Sequence, residues 1–417
     1  VSAAWRISEE NFWQPLKGWW NDMKIRGSYG SLGNQVMDDL GNFPYLATYG
    51  TNSSYNYLIN GSKPVIVKAP GLVAPDFTWE TVTQMDFGFD ASFLNNRLTG
   101  TFDWYRRNTK DMLVAGATLP ATLGASVPKS NSADMKTIGW ELSLGWNDRL
   151  ENGFSYWVKG VLSDYQATIT KYAGNDAGFY SQSDGDGKYY VGQKIGEIWG
   201  YHSNGLFQSD DEAATIDQSE LYAGKWGAGD VKYEDLDNDG KITKGEETIY
   251  NPGDKSIIGN KTPRYQFGIT VGFDYKNFDF EMFWQGTGKR DYMLSGAQFW
   301  GFTSQWDVPY TPALDYWTET NTDAYFPRPG WQNGGNRVTS DRYLQSAAYG
   351  RLKNLTVGYT IPKNLTTKWG ISRLRLYVTG ENLLTITPLN DAFDPETLGG
   401  MTYPINRKVA IGLNLTL

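Results

Sequence analysis

The densest chemistry in this chain lies in Asp235-Leu236-Asp237-Asn238-Asp239-Gly240-Lys241-Ile242-Thr243-Lys244-Gly245-Glu246. Carboxylates stand at positions 1, 3 and 5, glycine at 6 and a further carboxylate at 12, the spacing of a calcium-binding loop. Calcium takes about six to eight hard oxygens at ~2.3–2.6 Å. Asp235, Asp237, Asp239, the Lys241 carbonyl, Thr243 directly or through water, and a bidentate Glu246 can supply them. The flanks Val231-Lys232-Tyr233 and Thr248-Ile249-Tyr250 read as short strands, not as the helix pair of a calcium sensor. The expected role of Ca2+ is therefore structural, pinning an insertion over residues 225–260. The alternative is an acidic turn held only by Asx hydrogen bonds.

Other chemistry is sparse. His202 is the single histidine, which excludes a two-histidine metal site and leaves at most one histidine base. A packed or solvated role is expected for it. Without cysteine there are no disulfides, thiolate sites or cysteine nucleophiles. Asp210-Asp211-Glu212 reads as solvated surface, because a glycosidase needs two carboxyl groups placed across a cleft. No catalytic site is expected. Trp226, Trp300, Trp306, Trp317 and Trp331, with Tyr310, Tyr316 and Tyr325 nearby, are interspersed with Asp, Asn and Gln. Such rings suit sugar faces and peptide side chains, and equally suit packing one loop against another.

These residues fall between segments of strict two-residue alternation. From Trp79 the odd positions run Trp79, Thr81, Thr83, Met85, Phe87, Phe89, Ala91, Phe93, and the even ones Glu80, Val82, Gln84, Asp86, Gly88, Asp90, Ser92. Ile138, Trp140, Leu142, Leu144 and Trp146 alternate with Thr137, Gly139, Glu141, Ser143 and Gly145, and Tyr265 to Tyr275 repeats the pattern. Only a β-strand separates such sets onto opposite faces. A soluble sandwich shows the same alternation, so the connections decide. Leu94-Asn95-Asn96-Arg97 and Tyr275-Lys276-Asn277-Phe278 are tight hairpins and Arg149 to Gly153 is nearly as short, whereas 110–136, 169–263 and 287–348 are long. Short turns on one side and long loops on the other characterise an outer-membrane β-barrel.

Composition agrees. The 417 residues have a mean hydropathy of −0.50 and contain no apolar run long enough for a membrane helix, while 15% aromatic residues and 47 glycines suit a barrel. A net charge of −8 without a basic stripe excludes a nucleic-acid surface. Val1-Ser2-Ala3-Ala4-Trp5 is no signal peptide and reads as a strand entered part-way. About eleven strands are expected, near 1–8, 23–31, 79–93, 97–109, 137–148, 154–168, 264–275, 278–286, 349–361, 373–387 and 403–417. Single-chain bacterial barrels use an even number of strands, so an odd count points to part of a larger barrel. Two turns, over Glu10 to Asn21 and Lys363 to Gly370, suit either a short amphipathic helix or a loop with core-packing tryptophans.

At this level the chain resembles the C-terminal part of the SusC/RagA family of TonB-dependent outer-membrane transporters. The likeness spans residues 1–417. It rests on Trp5-Arg6-Ile7-Ser8-Glu9-Glu10, Lys24-Ile25-Arg26-Gly27-Ser28-Tyr29-Gly30 with Gly33-Asn34-Gln35, Arg106 to Leu113, Gly139-Trp140-Glu141, Gly196 to Tyr201 and Gly229 to Tyr233. It continues through Ile258-Gly259-Asn260 with Thr262-Pro263, Leu352 to Tyr359, Gly380-Glu381-Asn382-Leu383 and Tyr403-Pro404. The resemblance implies an all-β fold, a transmembrane antiparallel segment forming half of a barrel of about 22 strands closed by an internal plug. It also implies a SusD-like lipoprotein partner, contact with the N-terminal half of the same barrel and its plug, energy from TonB, outer-membrane lipid around the strands, and import of glycan or peptide fragments. The family usually ends in an aromatic residue, whereas this chain ends Leu415-Thr416-Leu417. The competing expectation is a secreted, calcium-stabilised β-rich carbohydrate-binding or hydrolytic protein.

Overall fold

The computed structural model describes the chain except residues 36–42, 44, 53–57, 60, 64, 69, 76, 116–119, 121, 123, 126, 174, 176–177, 180–188 and 399–402. Parts of the long connections 110–136 and 169–263 thus lie outside the described residues. Among the described residues one antiparallel sheet of 11 strands follows chain order throughout. Its strands are β1 (Ser2–Arg6), β2 (Trp20–Asn34), β3 (Glu80–Phe93), β4 (Leu98–Ala115), β5 (Lys129–Arg149) and β6 (Ser155–Tyr172). They continue as β7 (Arg264–Tyr275), β8 (Phe278–Lys289), β9 (Tyr349–Thr360), β10 (Arg373–Ile386) and β11 (Lys408–Thr416). Among the described residues the sheet does not close, and β1 and β11 are its two edges. Among the described residues no helix is long and apolar enough to cross a membrane.

The strand count matches the sequence; several limits do not. Apolar alternation fades beyond Thr109 and before Thr137, yet β4 and β5 go on pairing, through Met112↔Ala133 to Ala115↔Lys129. A backbone ladder is held by main-chain hydrogen bonds and needs no apolar face. Register shifts mark the change, and Asp111 adopts φ 57° there. At the other extreme, the expected strand over 1–8 ends at Arg6 because Ile7–Glu9 and Asn11–Leu16 coil into 3-10 turns, and the last strand begins only at Lys408.

Register assigns the faces. Directly opposite residues of an antiparallel pair share a face. Leu142 opposes Phe102 on β4 and Leu162 on β6, while Leu144 opposes Gly100 and Gly160. The row continues through Phe273↔Phe280↔Val357↔Val378↔Ile411. The opposite face is polar. There Arg26 reaches Asp103 at 2.5 Å and Asp90 at 3.3 Å, Ser28 donates to Asp86 at 2.9 Å, and Arg375 meets Asp279 at 2.5 Å. Long side chains fill the space that glycine leaves: a Cβ on Gly139 would lie 2.5 Å from the Tyr105 ring.

All tight turns share one end. Leu94, Asn95 and Asn96 take φ 56°, 60° and 63°, a run that short polar side chains tolerate better than branched ones. Trp13 is buried, donates to the Trp20 carbonyl at 3.1 Å and packs edge-on against its ring at 4.7 Å. Trp19 stacks on Phe93 and stays exposed, so this turn contains both core-packing and outward tryptophans. Lys363–Thr366 and Thr367–Trp369 form the second helical turn.

The long connections at the other end fold together. Lys255–Asn260 pairs with Glu197–Tyr201, Val231–Tyr233 with Ser203–Leu206, and Asp291–Met293 with Leu344–Ser346. A common core joins Tyr201, Leu206, Val231, Tyr233 and Ile242 from one connection to Leu294, Phe299, Trp300, Phe326 and Tyr343 from the next, and to Leu389 and Leu398 from the last. What reads in sequence as separate loops is a single loop domain with its own hydrophobic interior.

Candidate functional site

The acidic loop hangs from this domain by two attachments. Ile242, fully buried, donates its amide to the Asp217 carbonyl at 2.7 Å, and Asp217 in turn donates to the Gly240 carbonyl at 3.1 Å. Asp254, also fully buried, accepts from the Leu236 amide at 2.7 Å and the Thr243 amide at 2.7 Å, tying both ends of the loop to one carboxylate. Sequence reading missed Asp254. It lies beyond the twelve-residue spacing, and its role is set by a chain reversal that brings Asn251 back to the Glu246 amide at 3.0 Å.

Within the loop, Asn238 and Gly240 take φ 60° and 85° and curl the backbone over the carboxylates. Asp235 accepts from the Asp239 amide at 3.2 Å and the Gly240 amide at 2.8 Å, and Asp239 accepts from Lys241 at 2.8 Å. Desolvation pushes the Asp235 carboxyl upward, but the amides of Gly240, Asn238 and Asp239 outweigh it and hold it below the usual carboxylate range. Asp237 is displaced upward, by desolvation first and by the charge of Asp239 next. Carboxylate oxygens of Asp235, Asp237 and Asp239 lie within 4.8 Å of one another. Among the described residues Glu246 does not join that group. Thr243 is engaged through its backbone with Asp254, whose amide donates to the Thr243 carbonyl at 3.1 Å. Three of the expected ligands are therefore gathered; Lys241 and Thr243 follow along the loop, and Glu246 lies on the adjoining turn.

The five loop tryptophans separate by environment. Trp300 packs in the common core at 4.6 Å from Tyr343. Trp226 donates to the Tyr222 carbonyl at 3.0 Å and covers Gly335, where a Cβ would lie 2.6 Å from the ring. Trp317 packs the same way over Gly229, whose φ of 82° also favours glycine. Trp306 is 83% exposed and Trp331 46%. Val308, Tyr310 and Leu314 are exposed with them. A cavity of about 490 Å3 opens inside the domain, lined by Phe179, Trp199, Tyr201, Lys255, Trp300 and Arg337 among others. Phe179 and Trp199 stack at 4.2 Å, and the Lys255 ammonium lies 2.7 Å from Glu247.

A second feature joins domain and sheet. Arg351 on β9 is 2% exposed, with Nη2 at 2.5 Å from Asp394, Nη1 at 3.0 Å from Glu396, and Nε donating to Thr385 at 2.9 Å. Lys353 meets Glu396 at 2.7 Å. A register shift between Leu352 and Asn354 breaks the alternation here. Sequence alone could not pair these residues, because the two acids sit in a connection without periodicity.

An open antiparallel wall, apolar outside and charged inside, with tight turns at one end and a folded domain at the other, defines the wall of a large outer-membrane-type barrel. Residues 1–383 match the family model described as TonB dependent receptor-like, beta-barrel, and the chain belongs to that family. It is similar to TonB-dependent receptor P3 of Formosa agariphila, 29% identical over 99% of this chain and 41% of the relative. It is similar also to TonB-dependent receptor SusC of Bacteroides thetaiotaomicron, 26% identical over 100% of this chain and 39% of the relative. The chain thus spans about two fifths of the curated relatives it matches. In fold it is similar to the structure of the RagAB peptide transporter, with a TM-score of 0.76 at 21% identity, covering 100% of this chain and 43% of that one.

Proposed function

We propose that this chain forms the C-terminal wall of a SusC/RagA-type, TonB-dependent importer of the outer membrane. The observation that carries this reading is the continuous outward apolar row facing an inward row of ion pairs, in a sheet with two open edges. Unpaired backbone groups at those edges cost several kcal/mol each in hydrocarbon, so β1 and β11 pair with strands of the N-terminal half, which also carries the plug and the TonB-binding segment. The exposed Trp306, Val308, Tyr310, Leu314 and Trp331 suit burial under a SusD-like lipoprotein. Cargo is a glycan or peptide fragment, and the aromatic cavity of the loop domain offers either a stacking surface with charged neighbours. The likeness to SusC and RagAB supports the partner, and of the two cargo classes the RagAB peptide transporter supports peptide. Ca2+ held by Asp235, Asp237 and Asp239, with Glu246 closing in from the adjoining turn, rigidifies the 225–260 insertion.

Residues 1–417 expressed alone should give aggregated or misassembled material, and co-expression with the N-terminal half should restore a heat-modifiable barrel. A monodisperse, detergent-independent monomer would overturn the transporter reading. For calcium, chelation of the intact transporter should open 225–260 to protease while the strands stay protected. An unchanged cleavage pattern would remove the metal from the proposal.

A further inference from the structure

The single histidine sits in an arrangement that the transport reading does not use. His202 follows the strand Glu197–Tyr201, and two backbone bonds bring a distant segment to it: Tyr201 donates to Thr339 at 2.9 Å and Asp341 donates to Tyr201 at 3.1 Å. This places Asp341 Oδ2 at 2.7 Å from His202 Nδ1. The other oxygen of Asp341 accepts from the Ser203 amide at 3.0 Å, which fixes the carboxylate's orientation. On the far side of the ring, His202 Nε2 lies 2.7 Å from Ser256 Oγ, on the strand Lys255–Asn260. The three residues come from positions 202, 256 and 341 and meet only in the folded domain.

The partners decide the tautomer. An ionised carboxylate only accepts, so in the neutral ring Nδ1 carries the proton and Nε2 keeps its lone pair for the Ser256 hydroxyl. Serine, neutral imidazole and carboxylate in this order are the parts of an activated serine nucleophile, recognised by geometry and not by chain position. The His202 and Asp341 side chains are both more than a third exposed, at 36% and 39%, while Ser256 is half-buried beside them. Tyr201 and Lys255, the strand neighbours of His202 and Ser256, line the internal cavity. Side chains alternate along a strand, so Ser256 projects from the opposite face, away from the cavity, and His202, one residue past its strand, meets it there.

We propose that Ser256 is a serine nucleophile of the outer loop domain, acting on short-chain carboxylic esters, with His202 as general base and Asp341 as the residue that orients it. The partly exposed His202 and Asp341 side chains suit a small acyl group better than one that needs a deep slot. Ser256 Oγ attacks the ester carbonyl as its proton passes to His202 Nε2; the alkoxide departs with that proton as an alcohol, leaving acyl-Ser256. Water, deprotonated by His202, then attacks the acyl carbon, releasing a carboxylic acid and restoring the serine. This activity is separate from transport and does not depend on it.

The test uses the full-length transporter in detergent, a fluorophosphonate probe with mass-spectrometric mapping, and p-nitrophenyl acetate as substrate. Ser256 should be labelled well ahead of neighbouring serines such as Ser203 and Ser209, and Ser256→Ala should abolish both that label and the ester hydrolysis. His202→Gln should slow labelling by roughly 10²–10⁴-fold, the usual contribution of a general base. Asp341→Asn should also slow it, through the wrong tautomer. An unchanged limited-proteolysis pattern shows that each variant retains the domain. Labelling of wild-type Ser256 no faster than of Ser203 or Ser209, or ester hydrolysis unaffected by Ser256→Ala, would overturn the proposal and leave the three residues as a structural tie.

Discussion

Replacing Leu142 with arginine in the full-length transporter tests the assignment of faces most directly. On β5 the outward row runs Ile138, Trp140, Leu142, Leu144, Trp146. At one end Trp146 donates to Tyr156 at 3.1 Å, in the aromatic group of the tight-turn end. At the other, Ile138 faces Arg106, whose charge marks the edge of the apolar band. Leu142 is midway between them. A rise of about 3.4 Å per residue on strands tilted roughly 40° gives ~2.6 Å of height per residue, so Leu142 lies ~10 Å from both Trp146 and Ile138, near the middle of a band ~25 Å tall. Arginine at that depth costs about 2–4 kcal/mol, against ~0–1 near an interface. At roughly 1.4 kcal/mol per tenfold, Leu142→Arg should lower the folding equilibrium constant by about 30- to 1,000-fold. Ser143 opposes Thr101 and Val161 on the polar side of the sheet, and its replacement by arginine should be far milder. Urea titration of the barrel refolded into vesicles, read by heat modifiability, measures both. Equal costs, or a larger cost at Ser143, would refute the face assignment and with it the membrane reading.

Three further outcomes follow from the loop domain. Asp254→Ala orphans the amides of Leu236 and Thr243, which should cost about 1–3 kcal/mol per amide and release 236–246 to protease first, whereas Asp254→Asn keeps one acceptor and should do less harm; equal protection in both variants would contradict the attachment. Arg351→Ala leaves Asp394 and Glu396 without their guanidinium partner and should cost ~3–5 kcal/mol, seen as faster hydrogen exchange over 387–398; unchanged exchange there would refute the tie between domain and sheet. The carboxyls of Asp210, Asp235 and Glu212 are all depressed, Asp210 chiefly by Lys225, Asp235 by loop amides against desolvation, and Glu212 by the Gln208 amide. A depressed acid stabilises the fold above its unfolded pKa and loses that contribution as pH falls through the folded value, so protease resistance of 205–246 should weaken below about pH 4, with protonation of the raised Asp237 offsetting part of the loss. Resistance that persists at pH 2–3 would contradict it.

The eleven strands were legible because lipid imposes a demand the sequence must meet locally. Every second residue of a spanning strand has to be apolar, so Phe87, Leu142 and Val271 declare their face without reference to any partner. The tight turns declared themselves through Leu94-Asn95-Asn96 for the same reason, since positive φ is a property of single residues. The acidic loop, too, is a twelve-residue local pattern, and Asp235, Asp237 and Asp239 do converge. Continuation of β4 and β5 beyond the apolar band was not legible, because water-exposed ladders are held by backbone pairing that leaves no periodic signature. Nor was the union of three connections into one domain. Its core takes Tyr233, Tyr343 and Leu389 from segments with no shared pattern, so only the folded chain shows that Trp300 and Trp226 pack inward while Trp306 faces solvent. The same limit hid Asp254, the Arg351 clamp and the meeting of His202 with Ser256 and Asp341: each depends on residues far apart in the chain, and contact across such distances is decided by how the sheet carries its loops, not by spacing along them.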